Sequence, residues 1–257
     1  MEIIRKDEAG VCTLILNRPS VYNSFNGSMA LQLQAALDQC YSDDEVRVVV
    51  LTGEGKAFCA GQDLGEAIDS NGPGLASIVE NHYNPIILKI TQMNKPVIAA
   101  VNGVAAGAGA NIALACDFVI AKNSASFIQA FSKIGLIPDS GGTFILPRLI
   151  GQQKAMALMM TGEKVSAPDA VQMNMIYKSI DDDAFDAELT SFAIKLANMP
   201  TKALALTKAA LHASWNNTLE EQLALELDYQ VTAGNTSDFA EGVAAFLEKR
   251  NAIFTGK

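Results

Sequence analysis

Only two histidines, one tryptophan and four cysteines occur among 257 residues. His82 and His212 lie far apart, and Cys12, Cys40, Cys59 and Cys116 show no metal-type spacing, which argues against a zinc site. No histidine sits in a motif that would partner Cys59, so Cys59 reads as packing rather than as a nucleophile. The scattered thiols read as small buried side chains in a reducing cytoplasm. Positive charge is also in short supply. Nineteen Lys and Arg against 28 Asp and Glu leave a formal net charge of −9, which argues against nucleic acid as a partner. No apolar run reaches the roughly 18 residues of a membrane span. The stretch 96–121 comes nearest, but Asn102, Asn111 and Asp117 interrupt it. Met1-Glu2-Ile3-Ile4-Arg5 has no basic region followed by an apolar core, so no secretory leader is expected. The phosphate-loop string Gly-Lys-Ser/Thr is missing. The Gly107-Ala108-Gly109 turn carries Ile112 where a dinucleotide fingerprint needs its third glycine.

What is present is a well-cored chain, 49% apolar and 18% charged. Val11–Leu16 and Val46–Leu51 read as strands, as do Val97–Val101 and Phe118–Ala121. A helix is expected over about 28–41, where Met29, Leu33, Ala36 and Leu37 recur at helical spacing. Residues 65–75 read as a mobile loop, followed by a helix to about Asn94. The alternation predicts parallel or spiralled β-sheet packed on helices, and the four strands hint at a repeated structural unit. After about residue 147 strand-like runs almost vanish, and several helices should fill 148–250. Thr218–Glu221 and Asp238–Glu241 both fit helix-opening capping boxes. No Ser/Gly/Pro linker marks a boundary, so the helical part extends one fold.

Two segments strip the backbone of bulk just after a strand, Phe58–Leu64 and Asn102–Asn111. Small residues there let a ligand approach the main chain and leave backbone N–H groups free to bind it. The second runs into a helix-like segment, so the two loops together could hold one oxyanion. Close helix–strand packing is the competing explanation for the glycines. A third segment, Ala130–Thr143, places Asp139 between Pro138 and Ser-Gly-Gly. Asp139 by itself reads as a turn or cap residue. Yet Phe131, Ile134, Leu136, Ile137, Phe144 and Ile145 flank it, and an apolar surround would raise its pKa toward a useful proton-exchange range. His82 and His212 read as surface or satisfied core histidines.

These segments, with Leu16-Asn17-Arg18-Pro19 and Phe246-Leu247-Glu248-Lys249-Arg250, resemble the crotonase (enoyl-CoA hydratase/isomerase) superfamily over essentially the whole length. The resemblance implies an α/β fold, a spiral of ββα units with a helical C-terminal trimerisation region. Residues 1–195 would form the core with the acyl-CoA site. Residues 196–257 would serve oligomerisation and site closure. It implies an acyl-CoA thioester as substrate, a homotrimer or dimer of trimers, and no nucleic acid or membrane partner. No metal or redox cofactor is implied, coenzyme A being part of the substrate. The oxyanion donors fall on the Gln62 and Ala108 amides. Asn111 and Phe131 stand where the family's hydratases carry two glutamates, and neither can act as a general base. Asp139 remains as the acid/base. The substrate would lie along Ser20–Ser24 and Ala60–Leu64, touching Val21, Ser24, Ala60, Gly61, Gln62, Asp63 and Leu64. Ala108, Asn111, Phe131 and Pro138 would line its acyl end, with Arg18 and Lys249 near its phosphates or pantetheine, and Phe246 and Lys249 supplied by an adjacent subunit. Asn111, read without the family, is a polar residue on a helix surface. Within the family, Asn23-Ser24-Phe25-Asn26, Ala130-Phe131-Ser132-Lys133 and Phe254-Thr255-Gly256-Lys257 are similar to isomerases that convert ring-epoxidised phenylacetyl-CoA to oxepin-CoA and shift 3-enoyl to 2-enoyl-CoA. A general Δ3,Δ2-enoyl-CoA isomerase, a hydratase-like enzyme of fatty acid oxidation and a non-catalytic acyl-CoA-binding subunit are the alternatives.

Overall fold

Runs such as Val48-Val49-Val50-Leu51 and Val97-Ile98-Ala99-Ala100-Val101 are apolar at every position, the pattern of strands covered on both faces. The computed structural model describes all 257 residues, Met1–Lys257, and has ten strands. They are β1 (Ile3–Glu8), β2 (Val11–Leu16), β3 (Val48–Gly53), β4 (Ala57–Cys59), β5 (Val97–Val101), β6 (Val104–Ala106), β7 (Phe118–Lys122), β8 (Ser126–Ile128), β9 (Lys164–Ser166) and β10 (Lys178–Ile180). The larger sheet runs β1-β2-β3-β5-β7-β10 and the smaller β4-β6-β8-β9. All neighbours are parallel except β1 with β2 and β8 with β9. Each coil of the chain gives one strand to each sheet: β3 then β4, β5 then β6, β7 then β8. This is the expected repeated unit and the expected crotonase-like α/β spiral.

Alternate residues of the larger sheet feed two cores, as a period of two requires. Val49, Leu51, Val97 and Ala99 join the main core with the helix Gly27–Ser42. Val48, Val50, Ile98 and Ala100 face Phe185, Ala193 and Leu196 of the helix Phe185–Ala197. β1 carries Arg5, Lys6, Asp7 and Glu8 and escapes a reading based on apolar runs. It is an edge strand, where charge is tolerated. The expected loop over 65–75 is in part helical, with short helices at Leu64–Ala67 and Gly74–Ser77. The helix expected beyond it contains a π-helical turn, Ile78–Tyr83, before Asn84–Thr91. No helix is long and apolar enough to cross a membrane.

The C-terminal part is helical over Thr201–Ala213, Leu219–Gly234 and Ser237–Glu248. Thr218 and Glu221 form the expected capping box. The second expected box is displaced: Thr236 caps that helix, and buried Asp238 accepts the Thr255 and Gly256 amides at 2.7 and 2.8 Å. Its carboxylate therefore fastens the tail instead of the helix start. Arg47 binds the same tail, donating to the Phe254 carbonyl at 2.8 Å.

Helix Thr201–Ala213 is fixed to the sheet by a buried ion pair, Lys208 Nζ to Asp117 Oδ2 at 2.9 Å, the side chains 8% and 13% exposed. Lys208 also donates to the Ile90 carbonyl, and Asp117 accepts the Val97 amide. Burial pushes the Asp117 carboxyl above its ordinary value, with Lys208 opposing that shift. Lys208→Met strands this carboxylate, so an equilibrium denaturation should show a loss of about 3–5 kcal/mol. A smaller loss than about 1 kcal/mol would mean that water reaches Asp117.

Candidate active site

The site is built on β4 and β6, neighbouring parallel strands of the smaller sheet. The loop leaving β4 runs Ala60-Gly61-Gln62, and the loop leaving β6 runs Gly107-Ala108. Gly61 has φ +95° and Gly107 φ +53°, backbone conformations that exclude most side chains. A Cβ on Gly61 would stand 3.0 Å from the Ala106 oxygen and 3.5 Å from the Ala108 nitrogen, so the two loops touch. The Gln62 and Ala108 amides donate to no acceptor within the protein. They form a pair of free N–H groups on adjoining loops.

Gly109 serves the competing role raised by the sequence. A Cβ there would lie 2.5 Å from the Cys59 oxygen and 2.7 Å from its sulfur, so this glycine lets the helix Ala108–Leu114 close on β4. The Cys59 thiol is fully enclosed and its pKa is pushed up to about 12 by burial, which fits packing rather than nucleophilic work.

The strip Ser20–Ser24 lies against Ala60–Leu64. Ala60 N donates to Tyr22 O at 2.9 Å, Phe25 N to Gly61 O at 2.7 Å, and Asp63 N to Phe25 O at 2.8 Å. Val21 and Leu64 are exposed on this surface, Ser24 is buried, and Asp63 caps the turn at Gly65. Arg18 lies beside this strip with its charge already paired. Its guanidinium is engaged by Glu2, Asp63 and the Ser24 carbonyl, so it braces the strip instead of offering a free cation.

Asp139 is drawn to the same place through Asn111, one helical turn from Ala108. Asn111 Nδ2 donates to the Asp139 carbonyl at 2.9 Å, and Gln129 Nε2 donates to Asn111 Oδ1 at 2.8 Å. Asn111 is completely buried, which corrects the reading of it as a helix-surface residue. Its neighbour Gly142 leaves no room for a Cβ, which would lie 2.3 Å from Asn111 Nδ2. Ser140 Oγ donates to Asp139 Oδ1 at 2.8 Å. Burial, the largest influence, raises the Asp139 pKa above the ordinary aspartate value, while Ser140 pulls the other way. The expected apolar surround is corrected in part. Ile134, Leu136, Ile137 and Phe144 are exposed, Ile137 at 81%, so tertiary packing and not these sequence neighbours leaves Asp139 half-buried. Nor does Asp139 cap the following helix, whose N-cap is Gly141.

Phe131 is buried, with its ring 3.8 Å from where a Gly107 Cβ would stand, and so forms a wall beside the second loop. Pro138 borders a cavity of about 520 Å³ with Leu136, Ile137, Met156 and Met160. Phe246 and Lys249 are exposed at the end of helix Ser237–Glu248, Lys249 in a left-handed conformation, and no ion pair or hydrogen bond of the site includes them. His212 is stacked on Trp215 with 5.2 Å between ring centres. His82 is neither a surface nor a satisfied core residue, because its Nδ1 is enclosed without a partner. Sequence reasoning missed Gln129, Ser140 and Tyr83. Tyr83 Oη donates to Gln62 Oε1 at 2.8 Å across 21 residues of chain, and no local pattern signals it.

Residues 6–257 match the family model described as enoyl-CoA hydratase/isomerase. The chain is 49% identical to the 1,2-epoxyphenylacetyl-CoA isomerase of Escherichia coli K12, covering 99% of this chain and 98% of that one. It is 36% identical to the trans-2-decenoyl-[acyl-carrier-protein] isomerase of Streptococcus mutans, covering 100% and 98%. The crystal structure of an enoyl-CoA hydratase from Bacillus anthracis superposes with a TM-score of 0.93 at 34% identity, covering both chains completely.

Proposed function

Because this chain belongs to the enoyl-CoA hydratase/isomerase family, we propose that it is an acyl-CoA isomerase that converts ring-1,2-epoxyphenylacetyl-CoA to oxepin-CoA and shifts 3-enoyl to 2-enoyl-CoA. The observation that carries this reading is one half-buried carboxylate, Asp139, tied through Asn111 to a loop pair with two unpartnered amides. The relative named for the epoxide isomerisation supports the aryl substrate.

In the double-bond shift, the thioester oxygen lies between the Gln62 and Ala108 N–H groups. The Asp139 carboxylate takes a proton from C2. The electron pair moves into the C2–C1 bond, and the dienolate oxygen gains the charge that the amides hold. The proton then returns from Asp139 to C4, which leaves the double bond at C2–C3. One base suffices, since removal and return happen on the same molecule. Hydration would need a second group to activate water. Asn111 is occupied as a donor to Asp139 O and an acceptor from Gln129, and Phe131 has no proton to exchange. For the ring epoxide, the amides draw charge toward the thioester while the bond between the two epoxide carbons opens to the oxepin. Asp139 is assigned no step there. Only proton transfer and charge stabilisation are used, so no metal or redox cofactor is called for.

The same proposal extends to a trimer. Helix Leu219–Gly234 buries none of its residues, and Leu219, Leu223, Leu227 and Val231 stand in an exposed stripe that a neighbouring subunit would cover. Phe246 and Lys249 would then reach a neighbour's coenzyme A.

Turnover of ring-1,2-epoxyphenylacetyl-CoA and of a 3-enoyl-CoA, followed by absorbance and mass spectrometry, tests the reading. Isomerisation of both is expected, with no water added to a 2-enoyl-CoA at a comparable rate. Efficient hydration with no isomerisation would refute it. Activity on the 3-enoyl-CoA alone would remove the aryl epoxide as substrate.

A further inference from the structure

We propose that Tyr83 is a positioning residue for the oxyanion site, holding the Gln62 side chain so that the Gln62 amide stays aimed at the space it shares with the Ala108 amide. This rests on the proposed use of those amides in binding a thioester oxygen.

A backbone donor that follows a glycine is loosely held. Gly61 adopts φ +95° with no side chain to restrict it, so the peptide linking it to Gln62 needs restraint from outside. Two restraints are visible. On one side of that peptide, the Gly61 carbonyl accepts the Phe25 amide at 2.7 Å. On the other, every polar atom of the Gln62 side chain is engaged. Oε1 accepts Tyr83 Oη at 2.8 Å, and Nε2 donates to Glu66 Oε2 at 3.0 Å and to the Asp63 carbonyl at 3.2 Å. Glu66 is anchored in turn by the Gly27 amide at 2.9 Å. Tyr83 touches both restraints, because its ring also packs edge-on against Phe25 with 5.9 Å between centroids.

The fold directs Tyr83 there by an uncommon device. Ile78–Tyr83 is a π-helical turn ahead of the α-helix Asn84–Thr91, and the wider turn redirects the last side chain of the segment. The side chain is 1% exposed, so its hydroxyl has little access to solvent. Burial, with Cys59, Asp139, Glu66 and Asp63 nearby, raises the phenol pKa well above its usual value. Both influences favour the protonated, hydrogen-bond-donating form of the phenol.

Tyr83→Phe keeps the ring against Phe25 and removes only the donor. The probe is 4-dimethylaminocinnamoyl-CoA bound to the full chain, whose absorption moves to the red as its thioester carbonyl is polarised. The unsubstituted protein should give a clear red shift. Tyr83→Phe should lose about half of it, with the probe Kd changed by less than about threefold, since most contacts to the coenzyme remain. In turnover, kcat should fall roughly tenfold at nearly constant KM, short of the ~10²–10³-fold lost when a donor is removed outright. Gln62→Met removes the held amide group but leaves the backbone N–H. It should reproduce the loss, and the double variant should lose nothing further. A full red shift in Tyr83→Phe, or additive losses in the double variant, would overturn the inference while leaving the oxyanion site standing. Absence of any shift in the unsubstituted protein would overturn both.

Discussion

Asp139→Asn is expected to slow the 3-enoyl to 2-enoyl shift by roughly 10²–10⁴-fold, the range a positioned general base contributes. Asparagine fills the same volume and can still accept from Ser140, but it cannot take the C2 proton. Binding of acyl-CoA should persist, because the amides of Gln62 and Ala108 do not depend on the carboxylate. The pH profile should point the same way. Burial holds the Asp139 pKa above the ordinary aspartate value of 3.8, so the acid limb of turnover lies above that value and activity rises as pH increases through it. The sign for stability is opposite. The native state holds this proton more tightly than the unfolded chain. The contribution of Asp139 is therefore favourable below the unfolded value and is lost as pH rises through the native one. At neutral pH the carboxylate weakens the fold, and Asp139→Asn should unfold at higher denaturant concentration than the parent. Full turnover in this variant would remove Asp139 from the mechanism.

Gly61→Ala is expected to lower turnover by roughly 10²–10³-fold, as loss of one oxyanion donor does. The new methyl group would sit 3.5 Å from the Ala108 nitrogen and 3.0 Å from the Ala106 oxygen, in the space the thioester oxygen would take. Alanine at φ +95° adds backbone strain, so some stability should be lost as well. The two effects separate in a comparison with Asp139→Asn. The arylacryloyl-CoA red shift should vanish in Gly61→Ala and survive in Asp139→Asn. Retention of the shift in Gly61→Ala would place the carbonyl elsewhere.

Much of this arrangement was legible in the sequence. β2 and β5 fall on their expected residues, and β7 is longer by Lys122 alone, because each is a short run of apolar residues bounded by polar or turn residues. β3 begins two residues later than expected, since Val46 is buried ahead of the strand. The smaller sheet was illegible. β4, β6 and β8 are three residues each, too short for any periodicity to register, and they are defined by pairing between coils of the chain. The two loops, Phe58–Leu64 and Asn102–Asn111, could be read because a close approach to the backbone leaves a local trace in side-chain size, whereas Gln62 and Ala108 were singled out within them by the family resemblance alone. The supports could not. Gln129 reaches Asn111 across 18 residues and Tyr83 reaches Gln62 across 21, contacts that no local spacing encodes. The pairing of Arg18 was hidden for a related reason. A basic residue near an expected phosphate looks free until Glu2 and Asp63 are seen to occupy it.

The two free amides leave equivalent ends of adjacent coils, one after β4 and the next after β6. Their separation is therefore tied to the pitch of the sheet, about 4.8 Å from strand to strand, and not to any side chain. If these amides hold the carbonyl as proposed, a grip set by pitch would tolerate exchange of the reactive groups around it: a carboxylate could move from one wall to another, or a glutamate give way to asparagine or phenylalanine, without the carbonyl losing its seat. A family named for both adding water and moving double bonds is what such a division of labour would produce. In the proposed reading the scaffold would keep the thioester carbonyl in register, and a few exchangeable side chains would decide which bond changes.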